Sequence, residues 1–211
     1  MTFIPRLDRK MQPLTADTAK AVLHQINRHF TARPMAVKST EVSWMSLSFY
    51  DDVLLYAATD YSVMPALTKY ALRRGNEVFV IDHTPAPILA ANQAAPLRLD
   101  DTTAVDYLKF FTRFVWRMGE PQWLVESTAD LPSFSAMAAS DQRRITAALH
   151  GIRKRPAGDA FPDGFIIDAC FVSGVTLVSR RLLVPADGNV RSAPDRVLFE
   201  GRPVTMEMPM R

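Results

Sequence analysis

One segment constrains the fold more than any other: Asp100 to Glu126, DDTTAVDYLKFFTRFVWRMGEPQWLVE. Val105, Leu108, Phe111, Val115 and Met118 recur at spacings of three and four, so a helix puts them on one face. Tyr107, Phe110 and Phe114 widen that face, and Asp106, Lys109, Arg113 and Arg117 fall opposite. The spacing predicts a helix over about 102–118, capped by Asp101 or Thr102. A Gly-Glu-Pro turn and a strand at 122–126 follow. A helix with so wide an aromatic face must be covered by a sheet or by other helices.

The rest of the chain supplies mainly strands. Thr15 caps a predicted helix over about 16–31, with Ala19, Val22, Leu23, Ile26 and Phe30 on one face and Arg33-Pro34 as its stop. Met45, Leu47 and Phe49 alternate with serines in a strand from Val42 to Tyr50. Asp51-Asp52 turns the chain into a second strand, Val53 to Ala58. Residues 61–82 admit two readings. Pro65, Leu67, Tyr70, Ala71 and Gly75 fit a helix with its terminal signals, making a strand–helix–strand unit of 53–82. Gly75-Asn76 followed by the strand Glu77 to Ile81 fits a hairpin. His83 to Pro87 is a rigid turn, and 88–99 reads as an apolar connector.

Residues 127–139 read as loop or weak helix. Ser140 caps a predicted helix over about 141–150, closed by Gly151. Arg153 to Asp163 is basic and then rich in Pro and Gly, the best candidate for a linker. Two β-branched runs, 165–172 and 175–184, meet at Ser173-Gly174. Asp187-Gly188 and a strand at 195–200 complete a β-meander, and 206–211 reads as a frayed tail. The fold class that follows is α+β, with helices packed on a largely antiparallel sheet. The alternative is α/β, built on the strand–helix–strand unit. One domain over 1–211 is expected, with a sub-boundary at 153–163.

The helix–turn–strand YLKFFTRFVWRMGEPQWLVES, followed by a β-meander, resembles a group of bacterial α+β proteins in which a YLxFF-type helix precedes a short strand and a later antiparallel sheet. The resemblance covers the second half of the chain. It implies antiparallel pairing, and so favours the hairpin reading of 61–82. It implies no catalytic residue and transfers no function.

Composition narrows the functional classes. The chain has 211 residues, 48% hydrophobic and 22% charged, ordinary values for a globular protein. The single cysteine, Cys170, precludes an internal disulfide and suits a reducing compartment. No apolar run approaches the roughly 20 residues of a membrane span, and the N-terminal stretch lacks the apolar core of a secretory signal. A cytoplasmic protein without membrane contact is therefore expected. The net charge of +3 arises wholly within 131–211, where 11 Lys/Arg face 8 Asp/Glu.

Several constellations offer chemistry. Asp82 ends a strand, where a dinucleotide fold places an acid on the ribose, and with Asp60 and His83 it outlines a small-molecule cleft. The turn Ala58 to Ser62 lacks the glycines that let a pyrophosphate approach backbone N–H groups, and Asp60 would repel it. Cys170 and His150 offer a thiol and a base, but Cys170 lies in an apolar run that reads as core. His24, His29, His83 and His150 show no metal-ligand spacing. No cofactor or metal site is expected. Arg143, Arg144, Arg153, Lys154 and Arg155 form the one conspicuous basic set, a candidate contact for nucleic acid or another polyanion. Trp116 lies off the main stripe of its helix and is a candidate surface for a protein partner or self-association. The expectation is an interaction or assembly module without catalysis. Polyanion binding through 143–155, or an enzyme using the Asp60, Asp82 and His83 cleft, are the alternatives.

Overall fold

The computed structural model describes residues 10–29, 34–116, 122–131, 134–174 and 176–200. The chain divides into two compact units, and among the described residues Leu99 begins the second. Met118, Arg117, Phe30, the Gly-Glu-Pro turn and the predicted tail lie outside the described residues.

The first unit is a helix on an antiparallel sheet. Five strands, β1 (Gln12–Pro13), β2 (Thr40–Ser46), β3 (Leu54–Asp60), β4 (Leu67–Arg74) and β5 (Glu77–Val80), pair in sequence order. Every pairing is antiparallel. Helix α1 (Ala16–Asn27) contributes Val22, Leu23 and Ile26 to a core shared with Val42, Tyr56, Ala58, Ala71 and Val78. Val42 opposes Ala58 and Tyr56 opposes Ala71, with Val78 opposite Arg73, two residues along from Ala71, so they share one face of the sheet.

Residues 61–82 are therefore a hairpin arrangement, and the helical reading is overturned. Leu67 to Arg73 pair residue by residue with Asp60 to Leu54. Gly75 turns the chain at φ +55°, and nothing lies where its side chain would be, so the backbone conformation alone explains the glycine. Pro65 sits in the turn before β4, not at a helix start. Three apolar residues at helical spacing did not distinguish the states, because Ala71 and Leu72 are both buried, one on each face of a covered strand. The expected connector at 88–99 is instead helix α2 (Ala86–Ala94), preceded by Pro85, carrying Pro87 in its first turn and burying Ile88 and Ala91.

The second unit is built on a long hairpin. Strands β8 (Phe165–Ser173) and β9 (Thr176–Val184) pair over their full length. Each outer edge is shared by two short strands. Strands β6 (Gln122–Val125) and β7 (Arg153–Pro156) divide the edge of β8, and β10 (Arg191–Ser192) and β11 (Arg196–Glu200) divide that of β9. The predicted linker is thus corrected at 153–156, which form an edge strand against β8. Consecutive basic residues and a proline suit an exposed edge, where charge discourages further pairing. The loop behind it closes through Ala157 N–H to the Gly164 carbonyl at 2.9 Å.

The aromatic helix, α3 (Thr103–Phe114), is shorter than expected and buried over more of its circumference. Its first turn is held by Asp100, not Asp101 or Thr102. The Asp100 carboxylate accepts the backbone N–H groups of Thr102 at 2.7 Å and Thr103 at 2.8 Å. These bonds hold the Asp100 carboxyl below its usual range. The chain leaves the helix at Val115, which is extended. Tyr107, Leu108 and Phe110 are fully buried, and Phe111, expected at the centre of the stripe, retains 7% exposure. The buried Tyr107 hydroxyl donates to the Gly188 carbonyl at 2.8 Å. Arg113 is half-buried rather than solvent-facing. Its guanidinium lies over the Phe114 ring at 5.6 Å, and its Nη1 is buried without a hydrogen-bond partner. The last helix, α4 (Ala139–Ala148), places Ser140 inside its first turn and buries Ile145. The α+β class with a C-terminal antiparallel sheet is what the sequence predicted. No described helix is long and apolar enough to cross a membrane.

Candidate anion-binding cleft

Register decides which side chains of the second unit meet. Across an antiparallel pair, directly opposed residues share a face. Arg153 opposes Asp168, which opposes Arg181, so β7, β8 and β9 present them in one row. One step along, Cys170 opposes Ser179, which opposes Arg196 on β11. Farther along, the same face becomes apolar with Val172 and Leu177, which pack with Ile145 of α4, Trp123, Val125 and Phe199. A core thus gives way, within two residues of one strand, to an open cleft of about 430 Å³. The cleft is lined by His150, Arg153, Asp168, Ser179, Arg181 and Arg196, with Ala193 and Pro194.

His150 stands at the border, just past the end of α4, and is held at three points. Its Nε2 lies 2.9 Å from Ser179 Oγ and its Nδ1 lies 3.1 Å from the Gly151 carbonyl. Its own backbone carbonyl faces Cys170 Sγ at 3.6 Å. A carbonyl only accepts, so Nδ1 carries the proton in the neutral ring. Nε2 then accepts the Ser179 hydroxyl proton. Cys170 is fully buried, and burial pushes its thiol pKa up, so it is a protonated structural donor beneath the histidine.

The charges in the cleft are not balanced. Arg181 forks onto Asp168 with 2.7 and 3.1 Å bonds. That fork, helped by the charges of Arg181, Arg155 and His150 and opposed by partial burial, holds the Asp168 carboxyl below its usual range. Arg153 and Arg196 line the same cleft with no ion-pair partner among the described residues. The concave shape of the cleft focuses the field of the two unmatched guanidiniums.

The basic set expected from sequence is dispersed. Arg143 is exposed on α4. Arg144 pairs with Asp141 at 3.6 Å and lies over the Phe199 ring at 5.2 Å. Lys154 pairs with Asp101 at 3.4 Å. Arg153 and Arg155 share one strand face and Lys154 takes the other, and only Arg153 lines the cleft. Arg181, Arg196, His150 and Ser179 complete it from segments 26 to 43 residues farther on or just before, a convergence with no local sequence signal. The one available hint was the concentration of arginine in short β-branched strands.

The two candidate carboxylates of the first unit, Asp60 and Asp82, serve turns. Asp60, 3% exposed, accepts Ser39 Oγ at 2.7 Å and the Ser62 N–H at 2.9 Å. Asp82 accepts the Thr84 N–H at 2.9 Å and its hydroxyl at 2.6 Å. His83 is exposed at φ +69°. Strands β3, β4 and β5 follow one another without a helix, so no helix N-terminus stands at Asp60 to cradle a pyrophosphate. Trp116 lies beyond α3, half-buried and engaged with neighbouring groups. No protein-family model, curated protein or solved structure matches this chain.

Proposed function

We propose that this protein binds an anionic, phosphate- or carboxylate-bearing small molecule in the arginine-lined cleft of its second unit. The observation that supports this reading is the pair Arg153 and Arg196, brought to one cleft by two different edge strands and matched by no carboxylate among the described residues. An unpaired guanidinium at a concave surface offers a planar fork of donors to a carboxylate or phosphate. The concave shape and the dispersal of the remaining cations favour a compact anion over an extended polyanion. A reducing, cytoplasmic setting accords with the single buried thiol.

The test is calorimetric titration with inorganic phosphate and with glutarate at low salt. Binding is expected to weaken as salt rises. A charged hydrogen bond contributes about 1.5–3 kcal/mol, so Arg153→Gln or Arg196→Gln should each weaken affinity by at least about tenfold. Absence of binding for both anions, or affinities unchanged in the double variant, overturns the reading. Equal loss on neutralising Arg143 and Arg144 would shift the contact to the helix and the ligand to an extended polyanion.

A further inference from the structure

We propose that Ser179 and His150 form a nucleophile–base pair that hydrolyses a carboxylic ester whose acyl group carries a negative charge. The inference rests on the anion-binding reading of the same cleft. Three observations carry it. The Ser179 hydroxyl and His150 Nε2 are 2.9 Å apart, within the reach that proton abstraction requires. The far ring nitrogen is fixed by the Gly151 carbonyl, which leaves Nε2 as the free base. Both side chains line the cleft that holds the two unmatched guanidiniums. In the sequence Cys170 reads as core rather than as a nucleophile for His150, and its full burial accords with that. The fold packs Cys170 under the His150 backbone carbonyl and turns the ring to the residue directly across the strand pair from it, Ser179.

The chemistry balances with water as the only co-reactant. Ser179 Oγ bonds to the ester carbonyl carbon while its proton passes to Nε2. The tetrahedral adduct collapses, the carbon–alkoxide bond breaks, and the departing oxygen takes the proton from Nε2. Water then attacks the acyl-serine, giving a proton to the same nitrogen. The Oγ–carbon bond breaks, the proton returns to Oγ, and the acid leaves. One guanidinium is assigned to the distant carboxylate of the acyl group and the other to the developing oxyanion. An ester is favoured over a phosphoester because a base poised on the nucleophile helps most when the new bond is largely formed in the transition state. Phosphoryl transfer passes through a looser state that depends mainly on positioning and charge.

The experiment uses the full chain with mono-p-nitrophenyl glutarate, p-nitrophenyl acetate and p-nitrophenyl phosphate. The anionic ester should give a burst of nitrophenolate and a glutaryl mass adduct mapping to Ser179, at a rate above that with acetate. Ser179→Ala should abolish adduct and burst yet retain glutarate binding by calorimetry. His150→Gln should slow acylation by on the order of 10²-fold or more. Ser179→Cys, which keeps a nucleophile at the same place, should acylate if Ser179→Ala fails to fold. Glutarate binding without acylation of Ser179 overturns this inference and leaves the anion-binding reading standing. Acylation equally fast with acetate removes the role of the arginines. Ser179-dependent turnover of the phosphate ester alone overturns the acyl class.

Discussion

The two units place their arginines differently, although both are largely antiparallel sheets covered by helices. In the first unit the arginines of the sheet and its connections are matched. Arg74 pairs with Asp52 at 2.7 Å, Arg98 pairs with Asp51, and Arg73 donates to Gln25 at 2.8 Å while lying over the Tyr56 ring. In the second, Arg153 and Arg196 stand unmatched on edge strands that share a cleft. Net charge does not report this difference. Counted by unit, 7–98 holds 10 Lys/Arg and 8 Asp/Glu, whereas 99–210 holds 13 and 14. The unit with the cationic cleft is the less basic one. What a ligand meets is set by which side chains a strand register leaves without partners, and a sum along the chain hides that.

The largest expected effect tests the cores. Phe110, fully buried in α3, and Leu72, fully buried in β4, anchor the two units. Phe110→Ala should cost about 3–5 kcal/mol and Leu72→Ala about 2–5 kcal/mol. Urea unfolding followed by tryptophan fluorescence measures both. A loss below about 1 kcal/mol for Phe110→Ala would mean that the aromatic face of α3 is not core.

A smaller pair of changes separates structural from ligand-facing arginines. Arg74→Gln removes an exposed ion pair with Asp52 and a hydrogen bond to the Ala94 carbonyl, so it should lower the unfolding midpoint slightly and leave anion affinity unchanged. Arg153→Gln should leave the unfolding midpoint within experimental error and reduce anion affinity. Reversal of these two outcomes would erase the contrast between the units. Asp168→Asn sharpens it further. It frees Arg181 from its fork, giving the cleft a third unmatched cation, and anion affinity should rise several-fold in the same titration.

The smallest effect is in acid. The Asp168 and Asp100 carboxyls are held below their usual range, mainly by the Arg181 fork and by the Thr103 and Thr102 N–H groups. A carboxyl whose folded-state pKa is depressed stabilises the fold above its unfolded value of about 3.9 and loses that contribution as pH falls through the lower native value. Melting temperatures of the wild type and of Asp168→Asn should therefore differ near neutrality and converge in acid, once pH has fallen below the ordinary carboxylate range. A constant gap across that range would show that Asp168 contributes by packing and not by charge.

The sequence by itself determined the class of fold and most of its elements. Alternation of apolar residues placed β2 and β3, β-branched runs placed β8 and β9, and the aromatic stripe placed α3, because periodicity reflects which faces must leave water. It did not place α2, whose short alanine-rich stretch lacks a wide apolar stripe, nor the end of α3 at Phe114, nor the state of 61–82. Those depended on partners. Residues 67–74 became a strand because β3 and β5 stood ready on both sides to take its backbone hydrogen bonds. The cleft was the least legible part. His150 was visible as a titratable residue and Arg153 as part of a basic run, but Ser179, Arg181 and Arg196 carried no mark of their own. Only the register of β7, β8, β9 and β11 set them around one cleft, since a shift of one residue would turn every one of those side chains to the other face of the sheet.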